Sequence, residues 1–186
     1  MNLRVQKIID EVQLANKEVA ELTYAGDPVL RQKTQEVTAK EGKNIGEKLA
    51  EVLGRYEALT GVGGGLAAPQ IGLSKSVFVI NDRKRKVFTT YINPKIITKA
   101  SQTNFYRESC LSSRAFWGDV ERPETITLMW LDEEGISHTE EFSGFMARIL
   151  QHEYDHLEGI LCVDKALVGT LEYSGEVKEE KLRAAL

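Results

Sequence analysis

Hydrophobic and polar positions alternate along this chain with two periods, and the changes of period mark its elements. From residue 2 to 22 the apolar positions Leu3, Val5, Ile8, Ile9, Val12, Leu14, Ala15, Val19 and Leu22 recur at roughly helical spacing, with charges between them. A second helical stretch runs from about Lys43 to Thr60 through Ile45, Leu49, Val52, Leu53, Tyr56 and Leu59, and stops at Gly61. Ser76 to Asn81 has the short apolar run of a strand, and Val87 to Ile97 is extended but interrupted by Asn93-Pro94. Proline cannot donate to a ladder, so Pro94 predicts an edge strand or a strand end. Thr125 to Leu131 and Ile136 to Phe142 flank Asp132-Glu133-Glu134-Gly135, a hairpin signal. A helix then follows from Ser143-Gly144 to a predicted stop at Gly159, with Phe145, Ile149, His152 and His156 on one stripe. Ile160 to Val163 is short and apolar, a strand candidate, and residues 174–186 read as a charged terminal helix. Strands grouped in hairpins around a helix predict an α+β fold. The whole chain, 1–186, reads as a single domain, with 1–22 as a helical extension.

Composition narrows the functional classes. A length of 186 residues suits one domain with a sizeable core, and a net charge of −4 favours neither nucleic acid nor an anionic membrane as main partner. No apolar run approaches the roughly 18 residues of a membrane span. The first 22 residues carry Asp10, Glu11, Glu18 and Glu21 and have no apolar signal core, so a cytoplasmic protein is expected. In a reducing compartment the two cysteines, Cys110 and Cys162, are buried thiols or metal ligands before they are a disulfide.

The chemistry concentrates in Gln151-His152-Glu153-Tyr154-Asp155-His156-Leu157-Glu158-Gly159. Histidines four apart share one helix face and can reach one metal ion. Glu153 is rotated by about 100° from His152, which places it beside the metal as a general base rather than on it. The ordinary alternative is a helix with two unrelated histidines, yet two of the chain's three lie in this pentad. The pentad leaves the third ligand open. The glycine-rich run from Gly61 to Gly72 lacks the Gly-Lys-Ser/Thr ending of a phosphate loop. It reads as a loop offering backbone N–H groups to a substrate, with Gln70 as a side-chain donor.

Three segments then combine. Gly63-Gly64-Gly65-Leu66-Ala67-Ala68-Pro69-Gln70, Glu108-Ser109-Cys110-Leu111-Ser112 and His152-Glu153-Tyr154-Asp155-His156 resemble, in that order, the three motifs of the peptide deformylase family. The likeness spans roughly residues 23–165, including Asp27 to Arg31 and Ile92-Asn93-Pro94. It implies that Cys110, His152 and His156 bind one divalent metal, typically Fe²⁺, with Zn²⁺, Ni²⁺ or Co²⁺ able to take the site. It implies hydrolysis of the N-formyl group from the terminal formylmethionine of nascent polypeptides, with release of formate. Glu153 would be the base, the Gln70 amide and the Leu111 N–H would hold the oxyanion, and the Gly65 backbone would align the substrate. Phe145 and Ile149, two turns and one turn before His152, are candidates for the pocket that takes the methionine side chain, beside Gly64. Asp155 and Glu108 are expected to orient the histidines, or else to form salt bridges, Glu108 with Arg107 or Arg148. By the same resemblance the C-terminal helix is a candidate ribosome contact.

Three positions depart from the family pattern: Ser109 for a glycine, Gly64 for a branched apolar residue, and Ser113-Arg114 for an apolar-proline pair. They keep open a non-catalytic or altered-substrate peptide binder. A metalloprotease with Glu172 or Glu176 as third ligand is the other alternative.

Overall fold

The computed structural model describes residues 10, 14, 15, 17–83, 85–113 and 116–173. The long helix α1 (Ala39–Thr60) starts where the Thr38 side chain accepts the Glu41 N–H, and it ends at Gly61 with φ 70°. Its apolar stripe of Ile45, Leu49, Val52, Leu53 and Tyr56 is buried. The helix lies so close to the sheet that a Cβ added at Gly46 would come within 2.5 Å of the Thr90 side chain.

The larger sheet is antiparallel, with strand order β1-β2-β3-β6-β7. Its strands are β1 (Gly65–Ala67), β2 (Val77–Asp82), β3 (Val87–Lys99), β6 (Thr125–Leu131) and β7 (Ser137–Ser143). Val77 to Ile80 form a continuous apolar run because both faces of β2 are covered. Val77 and Val79 join the cluster under α1, while Phe78 and Ile80 join the cluster under the helix α2 (Gly144–Leu157). The β6–β7 hairpin forms as its turn predicts, with Asp132 Oδ1 accepting the N–H groups of Glu134 and Ile136. A second antiparallel sheet orders β4 (Thr103–Ser109), β5 (Phe116–Pro123) and β8 (Glu172–Tyr173).

Four expectations change. Pro94 neither ends β3 nor puts it on an edge, because the strand lies between β2 and β6. The register shifts between Ile92 and Lys95, and Asn93 turns to φ 49° while its side chain bonds Val37 N and O at 2.9 and 2.8 Å. A bulge therefore spares the proline a ladder bond. The glycine-rich run is not wholly loop: Gly65–Ala67 pairs with β2, and Ala68–Ile71 is a 3₁₀ turn. Ile160 to Val163 is no strand, since Leu161 caps a single helical turn, α3 (Cys162–Lys165). Asp164 fixes that turn by accepting the Leu161 N–H at 2.8 Å and pairing with Arg31. A four-residue apolar run cannot distinguish these outcomes by period. Finally, β5 is a strand that the sequence reading leaves unassigned.

At the N-terminus, residues 10, 14, 15, 17 and 18 are helical, and Ala15, Val19 and Leu22 are buried in the cluster under α1. The rest of the predicted 2–22 helix, and the whole of the predicted 174–186 helix, lie outside the described residues. Among the described residues no helix is long and apolar enough to cross a membrane.

Candidate metal centre

Helix α2 and the end of β4 meet at one point. The helix ends where Gly159 takes φ 75°, with its Cα so close to the Arg31 backbone that a Cβ there would lie 2.7 Å from it. That junction fixes the last two turns, which carry His152, Glu153 and His156. Cys110 follows β4 and precedes a 3₁₀ turn, Leu111–Ser113. One ligand atom from each of Cys110, His152 and His156 falls within 4.8 Å of the others. Cys110 Sγ lies 3.2 Å from His156 Nε2, and the two imidazole centroids are 5.2 Å apart. One thiolate and two imidazoles at this spacing are the donor set of a catalytic transition-metal site with an open position. The residues present fit a divalent ion.

Protonation follows from burial and partners. Burial opposes charge on His152, but the Glu108 carboxylate at 3.0 Å from Nδ1 outweighs it and holds the ring up to about 9. With Nδ1 engaged, Nε2 is the nitrogen left to bind metal. Burial drives His156 well below its ordinary value and the Cys110 thiol well above it. Metal uptake must therefore displace protons from Cys110 and His152.

Glu108 is the hub of the site. It takes both roles left open by the sequence, orienting His152 and pairing with Arg148 rather than Arg107. Burial opposes its charge, yet the Arg122 fork at 2.7 and 2.8 Å and His152 depress it far below the carboxylate range. Arg122 also donates to Asp155 Oδ2 at 2.7 Å, and Lys165 closes the network on Asp155. Asp155 thus acts through Arg122 and not on an imidazole, and His156 Nδ1 has no partner among the described residues. Arg122 is the residue that sequence reasoning missed. It falls in phase with Gly118 and Val120 on the buried side of β5, and an arginine in an inward phase requires a buried carboxylate.

Glu153 stands beside the ligands, 3% exposed, and its Oε2 has no protein partner among the described residues. Burial raises its carboxyl to about 7. Gly65 faces it so closely that an added Cβ would meet Oε1 at 2.5 Å. Gly65→Ala is therefore expected to displace the carboxylate and lower turnover by about 10²-fold, the effect of a misplacement near 1 Å. Steady-state rates with metal content held equal check this. Gln70 is buried; its Oε1 accepts the Ala67 N–H at 2.8 Å, so Nε2 points toward Cys110 Sγ at 3.4 Å and Ser112 Oγ at 3.2 Å. Leu111 opens the 3₁₀ turn next to the metal cysteine.

The pocket candidates differ. Ile149 packs beneath the larger sheet, and its Cδ1 lies 2.2 Å from where a Cβ at Gly64 would sit. Phe145 is 69% exposed on the first turn of α2. Ser109 is not in the left-handed region, so the backbone here does not require glycine. Ser113 is buried and donates from Oγ to the Cys110 carbonyl at 3.1 Å, and Arg114 lies outside the described residues.

Glu172, a ligand under the protease alternative, pairs instead with Arg107 at 2.9 Å on β8. Cys110→Ala is expected to abolish stoichiometric metal binding, and Glu172→Ala to leave it intact. Metal analysis after gel filtration reads both.

The comparisons point the same way. The polypeptide deformylase family model matches residues 19–169. A peptide deformylase of Pseudothermotoga lettingae is 40% identical over 146 residues, covering 78% of this chain and 82% of that one. One from Chlorobaculum parvum is 42% identical over 148 residues, covering 77% and 76%. Among solved structures, the Thermotoga maritima peptide deformylase aligns with TM-score 0.71 at 34% identity, over 78% of this chain and 95% of its own. The Synechococcus elongatus enzyme in complex with actinonin aligns with TM-score 0.70 at 34% identity, over 80% of each chain. With three ordered motifs, the converged Cys-His-His group and matches over most of its length, this chain belongs to the peptide deformylase family.

Proposed function

We propose that this chain hydrolyses the N-formyl group of N-terminal formylmethionine on nascent polypeptides. The observation that carries the reading is Glu153, a buried carboxylate beside the three converging ligands, one of whose oxygens has no partner among the described residues. A divalent ion held by Cys110, His152 and His156 would polarise the formyl oxygen and acidify a water. Glu153 accepts the proton of that water and delivers it to the leaving amine, a transfer suited to a carboxyl held near 7. The Gln70 Nε2 amide and the Leu111 N–H donate to the oxygen as charge develops. The Gly65 main chain offers a short edge along which an extended peptide can lie. Ile149, with Phe145 at the rim, lines the place for the methionine side chain, and Gly64 leaves that wall without a branched residue of its own. Glu108 keeps His152 Nδ1 protonated and its ring oriented.

Fe²⁺ is the ion we propose, on the resemblance to the peptide deformylase family; one thiolate and two imidazoles would equally hold Zn²⁺, Ni²⁺ or Co²⁺. The residues place no constraint against a cytoplasmic enzyme that meets its substrate at the ribosome, where the 174–186 segment is the contact we would test.

Formate release from a formyl-methionyl tripeptide, compared with its N-acetyl analogue, tests the reading. Turnover of the formyl peptide with little of the acetyl one is expected. Equal turnover of both, or of neither by the metal-loaded protein, would refute it.

A further inference from the structure

The chain has two cysteines, and the fold brings both to the metal centre. Cys110 ends the approach from β4 and Cys162 opens α3, and with Val120 they form one buried cluster. Both are free thiols, each 4% exposed, packed in that same buried cluster. Cys162 is outside the ligand group, which consists of Cys110, His152 and His156. The metal chemistry leaves Cys162 unused, yet it sits against the one sulfur on which metal binding depends.

We propose that Cys162 is a resolving thiol for Cys110, so that a small hydroperoxide converts the pair into a disulfide and withdraws the thiolate from the metal. The proposal rests on Cys110 being a ligand, as read above. Burial of both sulfurs limits the oxidant's size: a bulky disulfide is kept out, whereas hydrogen peroxide is little larger than water. In the first step the Cys110 sulfur attacks one peroxide oxygen, the O–O bond breaks, and with one added proton a water leaves. Cys110 is then a sulfenic acid. In the second, the Cys162 sulfur attacks the Cys110 sulfur, the S–O bond breaks, and hydroxyl leaves as water with the Cys162 proton. One peroxide is reduced to two waters and two sulfurs are oxidised to one disulfide. A disulfide needs Cα atoms about 4.4–6.8 Å apart, and the packing of two short side chains in one buried cluster brings the backbones toward that separation. Without a second thiol the sulfenic acid would proceed to sulfinic and sulfonic acids, which reductant does not reverse. Cys162 therefore turns an irreversible loss into a reversible one.

The test treats the Ni²⁺-loaded protein with hydrogen peroxide. It follows released metal with a chromogenic chelator, free thiols after denaturation, and proteolytic peptides by mass. The wild type is expected to lose both thiols, to yield a peptide pair joined through Cys110 and Cys162, and to release its metal. Dithiothreitol with added Ni²⁺ should restore the starting state. Cys162→Ser and Cys162→Val should also release metal, but with added oxygen on Cys110 and no recovery under reductant. Absence of the joined peptide in the wild type, with thiols retained or oxygen on Cys110, would overturn the proposal whether or not the variants fold. A joined peptide with all metal retained would overturn the release step and with it Cys110 as a ligand, whereas formate release by untreated Ni²⁺-loaded protein, measured in parallel, separately decides the hydrolysis.

Discussion

Replacing Arg122 by methionine is expected to lower stability by about 3–5 kcal/mol, the usual cost of removing one partner from a buried ion network. Arg122 is 1% exposed and spans Glu108 and Asp155 with three hydrogen bonds of 2.7–2.8 Å. Methionine fills similar volume, so the loss arises from two buried carboxylates deprived of their shared cation rather than from a cavity. Arg148 and Lys165 remain, and they keep the loss from being larger. Urea denaturation of the metal-free protein measures it. Lys33→Ala is the contrast: its pair with Glu158 is 74% exposed on the lysine side and screened by solvent, and no measurable change in the urea midpoint is expected. The same network predicts a pH effect. Glu108 is ionised in the fold far below its ordinary value, so it contributes stability that is fully present above the normal carboxylate range. That contribution falls away as pH drops toward the depressed folded value. In Arg122→Met the depression shrinks, so part of the acid limb of stability against pH should disappear. An unchanged acid limb would show that Glu108 draws its ionisation from elsewhere.

Glu153→Ala is expected to reduce turnover by about 10²–10⁴-fold, the range for a positioned general base, with the metal retained. None of the three ligand atoms belongs to Glu153, which is why metal content should not follow activity. Glu153→Gln keeps the volume and removes the charge, so it should be equally inactive. In the wild type the rate should fall as pH drops through the base's value, at or below about 7, because burial raises it and a bound cation would lower it. A carboxyl raised by burial also opposes folding above the pH where the unfolded chain ionises. Metal-free Glu153→Gln should therefore be at least as stable as wild type at neutral pH, the trade-off expected where a site is built for chemistry.

The ligand helix, its Ser143-Gly144 start and its Gly159 stop were legible because spacing on a helix is short-range information. So was the hairpin around Asp132-Glu133-Glu134-Gly135, where turn chemistry is local. Gln70 was legible as a donor on its glycine-rich loop, but Cys110 was joined to the histidines only through the resemblance of ordered motifs, since no local signal ties residue 110 to residue 152. The Pro94 bulge was not legible: it depends on Asn93 reaching Val37, far away in sequence. Arg122 was illegible for a similar reason. Its meaning lies in Glu108 on the neighbouring strand and Asp155 on α2, and the strand that carries it went unassigned. The apolar run at Ile160 to Val163 could be given either period, and Asp164 capping Leu161 decided for a helical turn. Cys162 looked like an ordinary buried thiol until the fold put it against Cys110.

The most direct measurement is formate release from a formyl-methionyl tripeptide by wild type and Glu153→Ala, both loaded anaerobically with Fe²⁺ or Ni²⁺ and assayed for metal. The account predicts turnover in the wild type, lost in the variant at equal metal content. Bound metal without formate from the wild type, across varied second and third residues, would contradict it.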